Sequence, residues 1–445
     1  MRRPISIIVL VLCICVVCLG AEFKKTPGPV ELEDGDTFVF IGDSITHQCL
    51  YTQYVEDYFY TRYPDRRIHF RNAGIGGDKA RDVLDRFDED IAKFKPKYAT
   101  ILIGMNDGEY TAFEDRIFNT YKRDMTEMLD KLAEIGVKAI PMTPTMYDLR
   151  QALRGRNWVQ AQRAGGEHYN AVLSFFGMWC LQQAQERGLG FVNMYEPLNR
   201  YTREGRKNDA EFTLIEDAVH PEEDGQFIMA YALLRDIGAE GPVWSIEITG
   251  QDNIWLYHAE HGKISDAQTN RIAFTFTANS LPFVVPEDAE MGFMMTDAKN
   301  TLSRQTLRVV GLESGEYRLL IDGNVADIFD YADLAKGVNL FGNFNVPDYR
   351  QAMEVAELNL QRNEDAIQPL RDMWIQLKFR RYRERGDWQE EEEEEEIDDD
   401  MSIEEWKEKV LSKEAQKLEE KAKEFEDKIY EINKPRSHTY ELIKL

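Results

Sequence analysis

The first half of this 445-residue sequence predicts an α/β fold in which a parallel sheet lies between helical layers. Short apolar segments alternate there with longer segments of helical periodicity, over residues 30–241. The apolar segments are continuous rather than alternating, which is typical of strands buried on both faces. Turns rich in Gly, Asn and Asp follow three of them, where parallel strands end at the carboxyl edge of a sheet.

The apolar segments predict about five strands. They lie at 37–41, 67–70, 98–103, 138–142 and 190–194. Helical periodicity follows the first strand over 51–63 and the second over 79–94, and the clearest helix, 171–187, precedes the fifth strand.

After residue 241 the pattern changes. Short alternating segments over 243–325 predict a small β-rich appendage. A helical segment follows at 346–385, and an acidic linker at 386–401 contains a block of like charges. Apolar residues recur at spacings of three and four from Leu411 to Ile432, so 402–445 is expected to be an amphipathic, coiled-coil-like helical tail. The pattern leaves open whether this tail folds back on the body or associates with a second copy.

The first twenty residues resemble an export signal. Arg2 and Arg3 precede an apolar run over 7–19, and small residues follow at a cleavage position. The run is shorter than the roughly 20 residues of a membrane-spanning helix. A secreted or periplasmic protein without stable membrane insertion is therefore expected, with an uncleaved anchor as the alternative. Of the five cysteines, Cys49 and Cys180 remain after cleavage, which allows one disulfide at most.

The net charge of −26 argues against a nucleic-acid partner, because phosphate binding needs a basic surface. The same charge argues against adhesion to anionic lipid. The seven histidines show no metal-ligand spacing, so no metal and no other cofactor is expected.

A candidate nucleophile directly follows the first strand, in the tripeptide Gly42-Asp43-Ser44. The tripeptide alone also fits a turn in which Ser44 caps the next helix. Its position favours the role of nucleophile, because a serine at the carboxyl edge of the first strand is exposed to substrate.

A candidate base and candidate anion donors lie near the ends of other elements. His220 precedes Pro221, which disfavours helical geometry, and Asp217 stands three residues before it. A loop Asp-x-x-His lets the carboxylate hold the imidazole while its other nitrogen faces a serine. Glycine-rich turns at 72–78 and 104–108 offer backbone N–H groups, and Asn106 offers a side-chain amide, for a developing oxyanion.

These segments together resemble the SGNH (GDSL-like) hydrolase superfamily, in the form of its bacterial exported esterases. The four blocks occur in the family's order: GDSIT at 42–46, NAGIGGD at 72–78, GMND at 104–107 and DAVH at 217–220. The segments TPTMYD at 143–148 and HYNAVL at 168–173 are also similar to bacterial exported members. The resemblance covers about half of the chain. It implies a three-layer α/β/α sandwich of the flavodoxin-like type.

Carried over block by block, the resemblance implies that Ser44 is the nucleophile, His220 its general base and Asp217 the partner of the base. The oxyanion hole would consist of the Ser44 N–H, the Gly77 N–H and the Asn106 side chain. Two other glycines of the second block, at positions 74 and 76, remain alternatives for the backbone donor. Ile45 and Met105 depart from the commonest residues of their blocks.

The implied activity is ester hydrolysis, and the leading substrates by resemblance are O-acetylated carbohydrates. Four residues near the blocks are expected to contact substrate: Asp43, Thr46, Met105 and Tyr147. Tyr110, Tyr147 and Trp158 are candidates for stacking on sugar rings, with packing as the alternative. A short-chain lysophospholipase or thioesterase is the enzymatic alternative, and a non-catalytic carbohydrate-binding or assembly protein on the same fold is the other. The expected partner is a small-molecule or polysaccharide ester.

Overall fold

A parallel sheet forms the centre of the first half of the chain. The computed structural model describes residues 29–154, 166–239, 241–251, 254–386 and 401–445. Four strands are hydrogen-bonded in the order β2-β1-β3-β4. Their bounds are β1 (Thr37–Gly42), β2 (His69–Gly74), β3 (Tyr98–Leu102) and β4 (Lys138–Pro141). Since β1 pairs with β2 and β3 and β3 with β4, all in parallel, the carboxyl ends of these strands meet at one edge.

Two strand predictions need correction. The second strand runs through the predicted turn, because Asn72, Ala73 and Gly74 pair in register with the end of β1. The segment 190–194, predicted as a fifth strand, pairs with the sheet only through the bridge between Met142 and Val192. Beyond that bridge, the amides of residues 194 and 195 donate to the Thr143 hydroxyl, so side-chain hydrogen bonds replace the ladder.

Helices follow the strands of this sheet, and residues 38–42 of β1 are all buried, so both faces of this strand are covered. The helices of this region are α1 (Ser44–His47), α2 (Leu50–Arg62), α3 (Ala80–Asp85), α4 (Phe87–Asp90), α5 (Asp115–Glu134), α6 (Leu149–Leu153), α7 (Tyr169–Arg187), α8 (Tyr195–Gly205) and α9 (Glu223–Asp236). Tyr54 of α2 packs on Phe227 of α9. Tyr121 of α5 stacks on Phe176 of α7.

The helix predicted at 79–94 is broken into α3, α4 and the 3₁₀ turn Ala92–Phe94. Arg86 lies at the first break. Its guanidinium is buried and donates to the Ala73 carbonyl and to the carboxylates of Asp78 and Asp90. These bonds connect the end of β2 to the helices that follow it.

The β-rich appendage consists of one antiparallel sheet and one mixed sheet. It extends beyond the predicted limit at residue 325. Its strands are β5 (Trp244–Gln251), β6 (Ile254–Glu260), β7 (Gly262–Ser265), β8 (Ala273–Ala278), β9 (Gln305–Val310), β10 (Glu316–Ile321), β11 (Asn324–Asp330), β12 (Val338–Asn339) and β13 (Ser437–Lys444). One sheet has the order β12-β9-β5-β6 and the other β11-β10-β13-β8-β7. Trp244 and Phe276 pack against each other between the sheets. Short helices α10 (Glu290–Met295), α11 (Ala298–Thr301) and α12 (Tyr331–Lys336) connect the strands.

The C-terminal part returns to the body. It comprises α13 (Pro347–Arg362), the π-helical turn Asn363–Ile367, α14 (Gln368–Arg385), α15 (Ile403–Trp406), a second π-helical turn (Lys407–Leu411) and α16 (Ser412–Ile432). The heptad pattern does correspond to a helix, but its apolar face is buried by this same chain at Ala422, Phe425 and Ile429. The prediction that the tail is helical throughout is wrong for its last residues, because β13 pairs with β8 and β10. Self-association through this helix stays a prediction, and the face that would carry it is covered.

The predicted export signal (1–20), Trp158 and residues 387–400 of the predicted acidic linker lie outside the described residues. Among the described residues, none of the helices combines the length and the apolar character that crossing a bilayer requires.

Candidate active site

Ser44 lies at the carboxyl edge of the sheet, at the start of α1 and two residues after β1. Asp43 caps α1 by accepting a hydrogen bond from the Ile45 amide at 3.0 Å. A side chain at Gly42 would meet the Thr46 hydroxyl, with only 1.9 Å between a Cβ and Oγ1. Glycine at position 42 therefore allows the tight turn that presents the serine.

His220 and Asp217 meet this serine from a loop 176 residues further along the chain. His220 Nε2 lies 2.7 Å from Ser44 Oγ, and His220 Nδ1 lies 2.6 Å from Asp217 Oδ2. The three side chains thus form one hydrogen-bonded series in the order carboxylate, imidazole, hydroxyl.

The loop that carries His220 is shaped by Asp217. Its Oδ1 accepts hydrogen bonds from the backbone amides of Val219 and His220, at 2.9 and 2.7 Å, while Oδ2 is directed to the imidazole. Ala218, directly after Asp217, has φ +78°. This left-handed conformation is energetically unfavourable for an L-amino acid. The side chains of His220 and Asp217 are 32% and 28% exposed, so substrate can reach them.

The charges of this series influence one another. Burial tends to lower the pKa of His220, but the hydrogen bond and the negative charge of Asp217 outweigh it, and the pKa lies above the usual 6.5. Burial tends to raise the pKa of Asp217, whereas the imidazole and the two amides bring it below its ordinary value. At neutral pH Asp217 is therefore a carboxylate that stabilises a positive charge on His220.

The second block forms a tight loop, the glycine loop (residues 75–78), directly after β2. The Ile75 amide donates to the Gly42 carbonyl at 3.2 Å, which ties the loop to the strand that precedes Ser44. Gly77 has φ +69°, a conformation that favours glycine. Asn106 reaches this loop, because its Nδ2 donates to the Asp78 carbonyl at 3.2 Å.

The Asp78 carbonyl and Tyr110 together hold the Asn106 amide in one orientation. The carbonyl can only accept, which assigns Nδ2 to the side facing the glycine loop, and the Tyr110 hydroxyl then donates to Asn106 Oδ1 at 3.2 Å. An amide nitrogen carries two hydrogens, so one remains for a ligand. Tyr110 was predicted as a candidate for sugar stacking, but its ring packs on Tyr147 and Tyr169.

The four residues expected to contact substrate, Asp43, Thr46, Met105 and Tyr147, are all buried, and their contact with substrate stays a prediction. Asp43, Thr46 and Met105 make hydrogen bonds within the framework of the site. The Thr46 hydroxyl pairs with the Tyr51 hydroxyl at 2.9 Å, and the Met105 carbonyl accepts from the Tyr169 hydroxyl. Burial raises the pKa of Asp43 to about 7.

Within the part of the chain that the structure describes, no group of three or more His, Cys, Asp or Glu residues is arranged to hold a metal ion. Cys49 and Cys180 are both free and buried.

Sequence reasoning missed the contribution of α14. Lys378 Nζ lies 2.8 Å from the Gly76 carbonyl oxygen, and Asp372 pairs with His47 at the end of α1 at 3.1 Å. No spacing rule connects these residues with blocks about 300 positions earlier.

The chain is similar to one protein family, to a curated enzyme and to a solved structure. The profile of the GDSL-like lipase/acylhydrolase family matches residues 40–227. An acetylxylan esterase of Geobacillus stearothermophilus is 26% identical over 230 residues, covering 47% of this chain and 98% of the esterase. The structure of a gut microbial diltiazem-metabolizing enzyme, BT4096, is 25% identical and covers 94% of this chain and 100% of its own, with a TM-score of 0.77.

The esterase therefore corresponds to about half of the chain, whereas the solved structure also extends over the appendage and the C-terminal helices. Residues 40–227 therefore carry a GDSL-like lipase/acylhydrolase domain of the SGNH superfamily, and the chain is an SGNH-type ester hydrolase.

Proposed function

We propose that this protein removes O-acetyl groups from carbohydrate esters, with Ser44 as nucleophile, His220 as general base and Asp217 as the partner of the base. The observation that carries the proposal is the hydrogen-bonded series from Asp217 through His220 to Ser44 Oγ. Its distances are those at which an imidazole takes a proton from a hydroxyl.

In the first half of the reaction, His220 Nε2 accepts the Ser44 proton and Oγ attacks the ester carbonyl carbon. The carbonyl oxygen becomes an oxyanion, which accepts hydrogen bonds from the Gly77 N–H, the Asn106 Nδ2–H and the Ser44 N–H. The bond between the acetyl carbonyl carbon and the sugar oxygen then breaks. The imidazolium gives its proton to the leaving alkoxide. Asp217 lowers the cost of this step because it stabilises the positive charge on His220.

The second half repeats the same proton transfers with water. His220 takes a proton from the water molecule as its oxygen attacks the acetyl group on Ser44. Collapse of the second oxyanion breaks the bond to Oγ, which recovers its proton from His220. Acetic acid leaves and ionises to acetate in solution, and the serine is free again.

The acetyl-carbohydrate assignment is supported by the acetylxylan esterase, whose full length aligns with the hydrolase part of this chain. A second candidate is a small-molecule ester, because the relative that shares nearly the whole architecture is named for metabolising diltiazem. We also propose that the protein is exported, on the evidence of the basic and apolar pattern in residues 1–20.

A substrate panel with a serine variant tests the proposal. Wild-type protein and Ser44→Ala are compared on p-nitrophenyl acetate, acetylated xylo-oligosaccharides, diltiazem and a lysophospholipid. We expect Ser44→Ala to lose on the order of 10⁶ in kcat, because nucleophile and base act as a unit. A fluorophosphonate should label the wild type at Ser44 and leave the variant unlabelled.

The matched control is Ser245→Ala, which removes a serine of the appendage that hydrogen-bonds Glu260 and should leave both readouts unchanged. Hydrolysis by Ser44→Ala within tenfold of the wild type would rule out the serine mechanism. Faster turnover of diltiazem or lysophospholipid than of the acetylated sugar would reject the carbohydrate assignment and keep the mechanism.

A further inference from the structure

Helix α14, which lies about 130 residues beyond the end of the hydrolase domain, contacts the loop that carries the backbone oxyanion donor. Lys378 Nζ donates to the Gly76 carbonyl oxygen at 2.8 Å and lies 3.3 Å from Asp78 Oδ1. The ammonium also lies close to Gly77, since a Cβ built there would be 3.1 Å from Nζ. Lys378 therefore contacts Gly76 and Asp78 of the glycine loop and lies beside Gly77.

The bond to the Gly76 carbonyl matters because of the planarity of the peptide unit. The Gly76 C=O and the Gly77 N–H belong to the same trans peptide, so they point in opposite directions in one plane. A group that fixes the carbonyl on one side therefore fixes the N–H on the other. A glycine pair has wide conformational freedom, so without such an anchor this peptide can rotate.

The charge of Lys378 adds to this effect. A hydrogen bond from an ammonium is stronger than one from a neutral donor. It also polarises the peptide it contacts, which makes the N–H at the other end a better donor. The Lys378 side chain is only 10% exposed, so water weakens this interaction little.

The anchor itself is firmly held. Asp78, the second partner of Lys378, is bound on its other side by Arg86 at 2.7 Å. Helix α14 is attached to the hydrolase domain by the fully buried pair Arg371–Asp90 at 2.8 Å, seven residues before Lys378. The Tyr382 hydroxyl, four residues after it, donates to Asp82 at 2.8 Å.

We propose that Lys378 is a positioning residue for the oxyanion hole, so that the C-terminal helical segment completes the active site of the hydrolase domain. It acts through the Gly76–Gly77 peptide and does not itself contact the substrate. The inference rests on the proposed function, because it concerns the oxyanion donor of that mechanism.

The test compares Lys378→Met, Lys378→Arg and the control Lys407→Met. Lys407 lies in the same C-terminal segment, pairs with Glu89 at 2.7 Å on the surface of the hydrolase domain and does not touch the glycine loop. Removal of an oxyanion donor costs roughly 10²–10³ in kcat, and loss of its anchor should cost a part of that, about tenfold. We expect this fall in kcat for Lys378→Met with KM on p-nitrophenyl acetate unchanged.

A second readout separates positioning from a merely structural role. An alkylboronic acid forms a tetrahedral adduct with the serine and places an oxygen in the oxyanion hole. Its affinity should fall by about the same factor as kcat in Lys378→Met and stay at the wild-type value in Lys407→Met, with both variants measured well below their temperatures of unfolding. Lys378→Arg, which keeps a cationic donor, should recover most of the rate.

Wild-type kcat and wild-type boronate affinity in folded Lys378→Met would overturn the inference. If Lys378→Met does not fold, Lys378→Gln replaces it, since it keeps a neutral donor for the Gly76 carbonyl, and a wild-type kcat there would show that the cation is not needed. A serine variant that still hydrolyses the ester would instead remove the proposed function, on which the role of Lys378 depends.

Discussion

Asp217 serves two purposes that one pair of substitutions separates. Its Oδ1 accepts two backbone amides of its own loop, and its Oδ2 accepts from the imidazole of His220. In Asp217→Asn, the amide oxygen keeps the backbone bonds, so the NH₂ group faces Nδ1. An NH₂ cannot accept a hydrogen bond, which forces Nδ1 to be the acceptor and moves the imidazole proton to Nε2. His220 is then unable to take the proton of Ser44.

From this geometry we expect kcat of Asp217→Asn to fall by roughly 10⁴, the cost of the wrong tautomer in a Ser-His-Asp site. This corresponds to about 5 kcal/mol in activation free energy. The free energy of unfolding should change little, because the loop keeps its two amide bonds.

Asp217→Ala, unlike Asp217→Asn, is expected to destabilise the protein. It removes the acceptor of both amides and leaves them to water at a partly exposed site, which should lower the free energy of unfolding by about 2 kcal/mol. The alanine does not dictate a tautomer, so its kcat should be higher than that of Asp217→Asn.

The assay is initial-rate hydrolysis of p-nitrophenyl acetate, combined with urea unfolding of all three proteins. A rate of Asp217→Asn within tenfold of the wild type would show that Asp217 does not set the tautomer. Equal loss of stability in both variants would show that the two amide bonds are not the source of its structural effect.

Three further predictions follow from other parts of the site. Only neutral His220 accepts the serine proton, and Asp217 holds the pKa of His220 above 6.5. We therefore expect kcat/KM to rise with pH, with the midpoint of the rise above pH 6.5. A profile flat from pH 5 to 8 would contradict this. Tyr110→Phe removes the bond that orients the Asn106 amide, so kcat should fall about tenfold at constant KM, and steady-state kinetics at wild-type values would refute that role. Arg371→Met removes one of three arginines paired with buried Asp90, so urea unfolding should report a loss of about 2 kcal/mol, the contribution of one charged hydrogen bond. An unchanged midpoint would show that α14 is held by other contacts.

The order of strands and helices in the first half of the chain could be predicted from the sequence, because continuous apolar segments and helical periodicity are local properties. The limits of that approach are visible at the fifth strand. Residues 190–194 have the composition of a strand, but the hydroxyl of Thr143 takes the amides that would continue the ladder. A side chain about 50 residues away decided the outcome.

The C-terminal tail shows the same contrast between local sequence patterns and contacts with distant residues. The heptad pattern predicts a helix, and α16 corresponds to it. The pattern does not specify the partners of its apolar face, which belong to the same chain: α13, the π-helical turn Asn363–Ile367 and the hydrolase domain. Tyr430 is also hydrogen-bonded to the Ile68 amide at 2.7 Å. Nor does the short segment 437–444 reveal that it pairs with β8 and β10, which lie far earlier in the sequence.

The sequence by itself determined the chemical groups and the ends of the strands that carry them, because the four blocks are short and each is defined by its own residues. Tertiary structure decided the orientation of those groups. The Asp78 carbonyl and Tyr110 hold the amide of Asn106, and Lys378 holds the Gly76–Gly77 peptide. Orientation depends on hydrogen bonds whose direction is fixed by partners distant in the chain, and no local pattern encodes such partners.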